Sequence, residues 1–207
     1  MPALNAALVV VAAVAALAFR PWAVLRAPAL RAPWIAFLVV LPLLWAAQLA
    51  LPARLPAMLS GACLLVLMVG WPLAVLTLIA SAAAVALAGG AGLAQGLELA
   101  AWQGAVPATV ALALGLATRR WLPRHVFVYI LARGFFGTVL AVSLAAALRA
   151  ALAGGAAPGM LTAAWLIAWG EGFLTGALTA IFVAFRPQWL LTYSDARYLP
   201  PPPTGAA

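Results

Sequence analysis

Long apolar runs, almost free of charge, constrain this chain more than any other feature of its sequence. Segments 126–148 and 160–185 each contain a single charged residue. A helix needs about 20 predominantly apolar residues to cross the hydrocarbon core of a bilayer. The composition agrees, because 68% of the residues are hydrophobic and 7% are charged, against roughly 25% charged in soluble domains. The chain is therefore predicted to be an all-α, polytopic helical membrane protein.

Seven transmembrane helices are predicted in a single domain, 1–199, followed by a Pro-rich tail, 200–207, that is expected to be disordered. The predicted spans are 4–19, 34–51, two within 58–89, 97–118 with an interruption at Pro107, 126–148 and 160–185.

Region 58–89 has two interpretations. As one helix it would be about 48 Å long, against a hydrocarbon core of about 30 Å. Gly70, Trp71 and Pro72 lie near its middle, and a proline disfavours helical geometry at the residue before it. Two short spans that meet at this turn are therefore predicted in place of one long helix.

The arginines orient the chain. A net charge of +8 would suggest nucleic-acid binding in a soluble protein, but here the arginines stand at the ends of apolar runs, so membrane lipid is the expected partner and nucleic acid is not. Seven spans with the N-terminus outside and the C-terminus in the cytoplasm place eight arginines inside and two outside, whereas six spans give at best six against four. The inner arginines are then 20, 26, 31, 119, 120, 124, 186 and 197, and the outer ones are 54 and 149.

Glu171 and Arg133 are the charged residues inside the last two predicted spans. A buried acid in a span costs roughly 2.5–3.5 kcal/mol on insertion scales, so Glu171 is either functional or part of a structural hydrogen bond to a neighbouring helix. The backbone of Arg133 lies about 10 Å from that of Glu171 in depth. Arg133 is therefore expected either to pair with Glu171 or to reach the cytoplasmic headgroups.

Two more polar side chains stand near predicted helix ends. Glu98 opens the span 97–118, where the helix dipole favours an acid, so it is expected to cap that helix. His125 is expected to be interfacial, since a metal site needs several converging donors.

Small residues predict close helix packing. Gly172 and Gly176 form a small-xxx-small pair of the kind that lets membrane helices approach. Gly61, Gly70 and Pro72 are assigned a similar packing role around the turn in region 58–89.

Catalytic chemistry is not expected. The chain has one histidine, one cysteine and three acids, spread over different segments, and shows no nucleophile beside a base. The single Cys63 excludes a disulfide and a cysteine-based metal cage. Neither an enzymatic activity nor a cofactor is predicted.

Two motifs resemble those of a known family. Ser60-Gly61-Ala62, followed by Leu67-Met68-Val69-Gly70-Trp71-Pro72, is similar to a Gly-Ala run leading to a Leu-Gly-Pro-Trp turn. Glu171-Gly172-Phe173-Leu174-Thr175 is similar to a Glu-Gly-Leu-Leu-Thr motif in a final span. Over 58–185 the chain thus resembles the CbiM-type membrane components of energy-coupling-factor importers for cobalt and nickel. The Arg-Pro-x-Trp sequence at 186–189, with Asp195 and Tyr198, looks typical of a divergent branch.

The resemblance implies a seven-helix substrate-capture subunit of the inner membrane that works with a transmembrane coupling subunit and ATPase subunits. Such members hold the metal with the N-terminal amine, a histidine at the second position and a histidine three residues before the aligned Gly61. Here these positions are Pro2 and Met58, so no metal ligand is expected.

The expected function is permease-like capture of a transition-metal ion. One alternative is a non-transporting scaffold or assembly protein that keeps the fold, and another is a proton-coupled carrier that uses Glu171.

Overall fold

The computed structural model describes residues 1–50, 58–89 and 92–199, and all of its regular elements are helices, which confirms the predicted all-α class. The predicted disordered tail, 200–207, and Arg54 lie outside the described residues. The α-helices are α1 Pro2–Ala18, α2 Pro28–Ala50, α3 Ala62–Val69, α4 Trp71–Ala88, α5 Leu93–Trp121, α6 Val126–Leu152, α7 Met160–Phe185 and α8 Asp195–Tyr198. Short 3₁₀ turns occupy Pro21–Arg26 and Pro187–Trp189.

Five helices, α2 and α4 to α7, are long and apolar enough to cross a membrane, which indicates a multi-pass membrane protein. Helix α1 is also apolar but has 17 residues. Large apolar side chains cover the outside of the bundle, with Val11 68% exposed and Phe173 71% exposed. Exposure of this kind is unfavourable in water and suits contact with lipid.

The turn predicted at Gly70 is confirmed. Gly70 has φ +78° and separates α3 from α4, while Pro72 lies in the first turn of α4. Helix α3 has eight residues and is therefore about 12 Å long, so it is too short to cross the hydrocarbon core by itself. All eight of its side chains are buried, so α3 forms the centre of the bundle and has no lipid-facing side.

The structure differs from the prediction at prolines in two helices. Helix α2 begins at Pro28, ahead of the predicted residue 34, and runs through Pro33 and Pro42. Helix α5 continues past Pro107, where an interruption was predicted, after a π-helical segment at Ala100–Ala105. Membrane helices tolerate proline when local π geometry and neighbouring groups satisfy the freed carbonyls.

Helices α6 and α7 pack closely where α7 carries glycine. A Cβ added to Gly172 would lie 2.5 Å from Cγ2 of Val139, and one added to Gly176 would lie 3.0 Å from Cβ of Phe135. Gly170, on the exposed side of the same helix, would have nothing within 4 Å. The contact with α6 therefore depends on one face of α7, and that face also carries Glu171.

Candidate functional site

The carboxylate of Glu171 caps the start of the buried helix α3. The side chain projects from the middle of α7 and is 2% exposed. Its Oε2 accepts a hydrogen bond from the backbone N–H of Ser60 at 2.7 Å, and its Oε1 accepts one from Gly61 at 2.9 Å. Both donors precede Ala62, the first residue of α3, whose own N–H donates to Ser60 Oγ at 3.1 Å. The carboxylate also matches the positive end of the helix dipole.

Gly61 supplies the backbone geometry that this capping contact needs. Its φ of +72° lies in the left-handed region, which glycine adopts without steric cost. A Cβ at this position would also lie 2.7 Å from Cδ2 of Leu41, a residue of α2. Conformation and space therefore both favour glycine beside Glu171.

Two side chains of α2 and one backbone carbonyl of α5 form hydrogen bonds with the non-helical segment that precedes α3. Gln48 of α2 accepts from the N–H of Leu59 at 2.6 Å and donates to its carbonyl at 3.2 Å. Trp45 Nε1 donates to the Ser60 carbonyl at 3.1 Å, and Ser60 Oγ donates to the carbonyl of Gln103 at 2.5 Å. Non-helical backbone is tolerated at membrane depth only where protein groups pair with it in this way.

The proline in α5 contributes to this arrangement. Pro107 has no backbone N–H to offer the carbonyl of Gln103, four residues earlier. That carbonyl instead accepts the Ser60 hydroxyl. A residue that appeared to break the helix thus frees an acceptor at the point where α3 begins.

Backbone carbonyls at the other end of α3 accept hydrogen bonds from the chain that follows α7. The N–H of Leu191 donates to the carbonyl of Met68 at 2.9 Å. The carbonyl of Leu67 accepts from the backbone N–H of Thr192 at 3.3 Å and from its Oγ1 at 2.9 Å. Tyr129 OH lies 2.8 Å from the same hydroxyl. The C-terminal part of the chain therefore holds α3 at both ends.

Arg133 and Glu171 do not pair, so the sequence-based pairing alternative is wrong. The Arg133 guanidinium lies over the ring of Tyr129, with Cζ 5.3 Å from the ring centroid. The one ion pair among the described residues joins Arg149 to Glu98. Glu171 uses its carboxylate on backbone N–H groups instead.

The capping role expected for Glu98 is wrong, because α5 begins at Leu93 and Glu98 lies beyond its first turn. Glu98 pairs with Arg149 near the end of α6, where the two side chains are 44% and 41% exposed. His125 is the residue that caps a helix. Its Nδ1 accepts from the N–H of Phe127 at 3.2 Å at the start of α6.

The structure places the two family metal-ligand positions away from any set of ligand side chains. Pro2 begins α1, and Met58 lines a pocket with Arg149 and Met160. Within the described ranges, no group of three histidine, cysteine, aspartate or glutamate residues lies close enough to hold a metal ion. Thioether and peptide groups are poor ligands for divalent cobalt or nickel.

No family model, curated protein or solved structure matches the chain.

Sequence reasoning missed most partners of the segment before α3. Gln48 had a usable signal, because it is a lone polar residue in the apolar run 34–51. Ser60 and Gly61 contact Glu171 through backbone N–H groups, which every non-proline residue has, so no residue pattern distinguishes them. Thr192 lies beyond the last span and likewise gave no signal.

Replacing Glu171 by Gln should destabilise the bundle. The amide keeps one acceptor oxygen but sets an NH₂ donor against the second backbone N–H, which then stays unsatisfied in an apolar interior. We expect the free energy of unfolding to fall by about 2–5 kcal/mol. Unfolding in a neutral detergent, followed by circular dichroism against temperature or added SDS, measures the change.

Glu98→Gln is the matched control, since it makes the same chemical change in an exposed ion pair worth about 0–1 kcal/mol. Equal losses in the two variants would contradict the capping role of Glu171.

Proposed function

We propose that this chain is the membrane substrate-capture component of an energy-coupling-factor importer of the transition-metal class. One observation carries the proposal. The two motifs that resemble the CbiM-type family, around Gly61 and Glu171, are separated by 110 positions and are joined by a hydrogen bond. A shared motif pair that makes one structural contact is expected if the chain inherits the family's core.

We further propose seven crossings, in which the extended segment before α3 and α3 together make one. The support is the hydrogen bond from Trp102 Nε1 to Asn5 Oδ1, at 2.9 Å, which brings the first third of α5 to the start of α1. Helices α1 and α5 begin on the same side only if the chain crosses once between α2 and α4. The position of Leu191 against Met68 agrees, because it brings the ends of α3 and α7 together.

The arginine distribution then favours an inner-membrane orientation with the N-terminus outside and the C-terminus in the cytoplasm. Arg20, Arg26 and Arg31 lie in and just after the first cytoplasmic connection. This connection is the surface that we assign to the transmembrane coupling subunit and its ATPases. The chain itself needs no catalytic site, because its partners would supply the energy.

A second candidate function is a non-transporting scaffold or assembly protein with the same fold. Pro2 and Met58 favour it, because they stand at the two positions where the family resemblance implies histidine ligands. Cargo capture without these ligands would need other donors, whereas a scaffold would need none. The packing role of Glu171 is the same under both functions.

Co-purification and uptake separate the two candidates. An affinity-tagged chain, extracted from its own host in mild detergent, should bring down a transmembrane subunit and ATPase subunits, and deletion should lower uptake of radioactive cobalt or nickel. Partners without a change in uptake would favour the scaffold. Isolation of the chain alone, together with unchanged uptake, would contradict the transporter proposal.

The topology has its own test. Green fluorescent protein fused after residue 199 should fluoresce, because it folds in the cytoplasm, and alkaline phosphatase inserted near Gly155 should be active, because it requires the outer side. Six crossings, without the one between α2 and α4, would move both reporters to the other side relative to the N-terminus. A protease-protected N-terminal tag in right-side-out vesicles would therefore contradict the seven-crossing arrangement.

A further inference from the structure

A strongly basic pocket lies where α5 ends, α6 begins and α8 packs against them. Its volume is about 160 Å³. Ten residues line it, and none of them is acidic. Four are arginines, namely Arg119, Arg124, Arg133 and Arg197. Four guanidinium groups around one small space repel one another, so the pocket is suited to an anion.

Arg133 is the least exposed of the four arginines, so its charge is the one that an anionic partner would stabilise most. Its Nε and Nη1 are buried and have no hydrogen-bond partner among the described residues. A buried charged donor without an acceptor is costly, more so within the apolar length of α6. An anion beside this guanidinium would supply acceptor oxygens for these donors.

Neighbouring residues fix the position of this guanidinium. One side lies against Gly115 of α5, where an added Cβ would be 2.9 Å from Nη2 and 3.3 Å from Nε. The ring of Tyr129 lies 5.3 Å from Cζ. The absence of a side chain at Gly115 thus makes room for Arg133, which reaches the pocket from inside the bundle.

The other three arginines come from separate elements and are exposed. Arg119 lies in the last turn of α5, and Arg124 lies in the connection to α6. Arg197 lies on α8, which is held in place because the ring of Tyr198 packs 5.0 Å from that of Tyr129. The fold therefore gathers at one helix end charges that are far apart in the sequence.

We propose that this pocket binds a phosphate group, with Arg133 as its innermost contact and Arg119, Arg124 and Arg197 around the rim. A carboxylate has two oxygens, whereas a phosphate group offers more acceptors and more charge to several guanidinium groups. The pocket stands at the helix ends, where the headgroups of a bilayer lie. The phosphate therefore comes either from an anionic phospholipid headgroup or from a soluble phosphate.

Two binding measurements on the full-length protein distinguish these sources. Protein stripped of lipid in a neutral detergent is mixed with phosphatidylglycerol or, separately, with phosphatidylcholine, and the retained lipid is counted by native mass spectrometry. In parallel, inorganic phosphate is titrated in isothermal calorimetry.

Arg133→Gln and Arg197→Gln each remove one pocket charge, and Gly115→Ala keeps every charge but displaces the Arg133 guanidinium. Arg149→Gln, at the other end of α6, is the charge-matched control.

We expect wild type and Arg149→Gln to bind the same phosphate ligand equally, and the three pocket variants to bind it about tenfold more weakly or worse. Preference for phosphatidylglycerol assigns the pocket to a lipid headgroup, and calorimetric binding of inorganic phosphate assigns it to a soluble ligand. Arg197 lies on the exposed helix α8, so Arg197→Gln keeps the test valid if Arg133→Gln fails to fold. Absence of binding in both arms, or equal binding by Arg197→Gln and Arg149→Gln, would overturn the proposal.

Discussion

The contact between the Glu171 carboxylate and the backbone N–H groups of Ser60 and Gly61 is the interaction on which the bundle depends. Helix α3 has eight buried residues, too few to bring its ends to water or to headgroups. The unpaired groups at each end must therefore find partners within the protein. Glu171 pairs with the two N–H groups just before α3, Ser60 Oγ pairs with the N–H of Ala62, and Leu191 and Thr192 pair with carbonyls at the other end.

This arrangement explains why an acid lies in the middle of an apolar helix. The carboxylate loses its hydration, but it gains two charge-assisted hydrogen bonds and the favourable end of a helix dipole. Gly172, the next residue, lets α6 approach α7, because even a methyl group there would meet Val139. The Glu-Gly pair is thus one packing unit, in which one residue fixes α3 and the other fixes α6.

The helices could be predicted from the sequence far better than their contacts. Segment 160–185 coincides with α7, and Gly70 divides region 58–89 as predicted, because apolar length and backbone conformation leave a direct trace in the sequence. The half-length of α3 could not be predicted, since hydropathy does not distinguish a helix in lipid from one inside a bundle. The partner of Glu98 was missed because Arg149 lies 51 positions away. The convergence of arginines around Arg133 could not be predicted for the same reason, because these residues are far apart in the sequence.

The most direct test of the central contact uses Cys63, the single cysteine of the chain, which lies in the first turn of α3 and is 2% exposed. The rate at which a maleimide labels this thiol in the folded protein reports how often α3 opens. If Glu171 holds α3 in place, Glu171→Gln should raise that rate about tenfold or more, while Glu98→Gln leaves it at the wild-type value. Equal, slow labelling in both variants would contradict the account, because α3 would then stay closed without its cap.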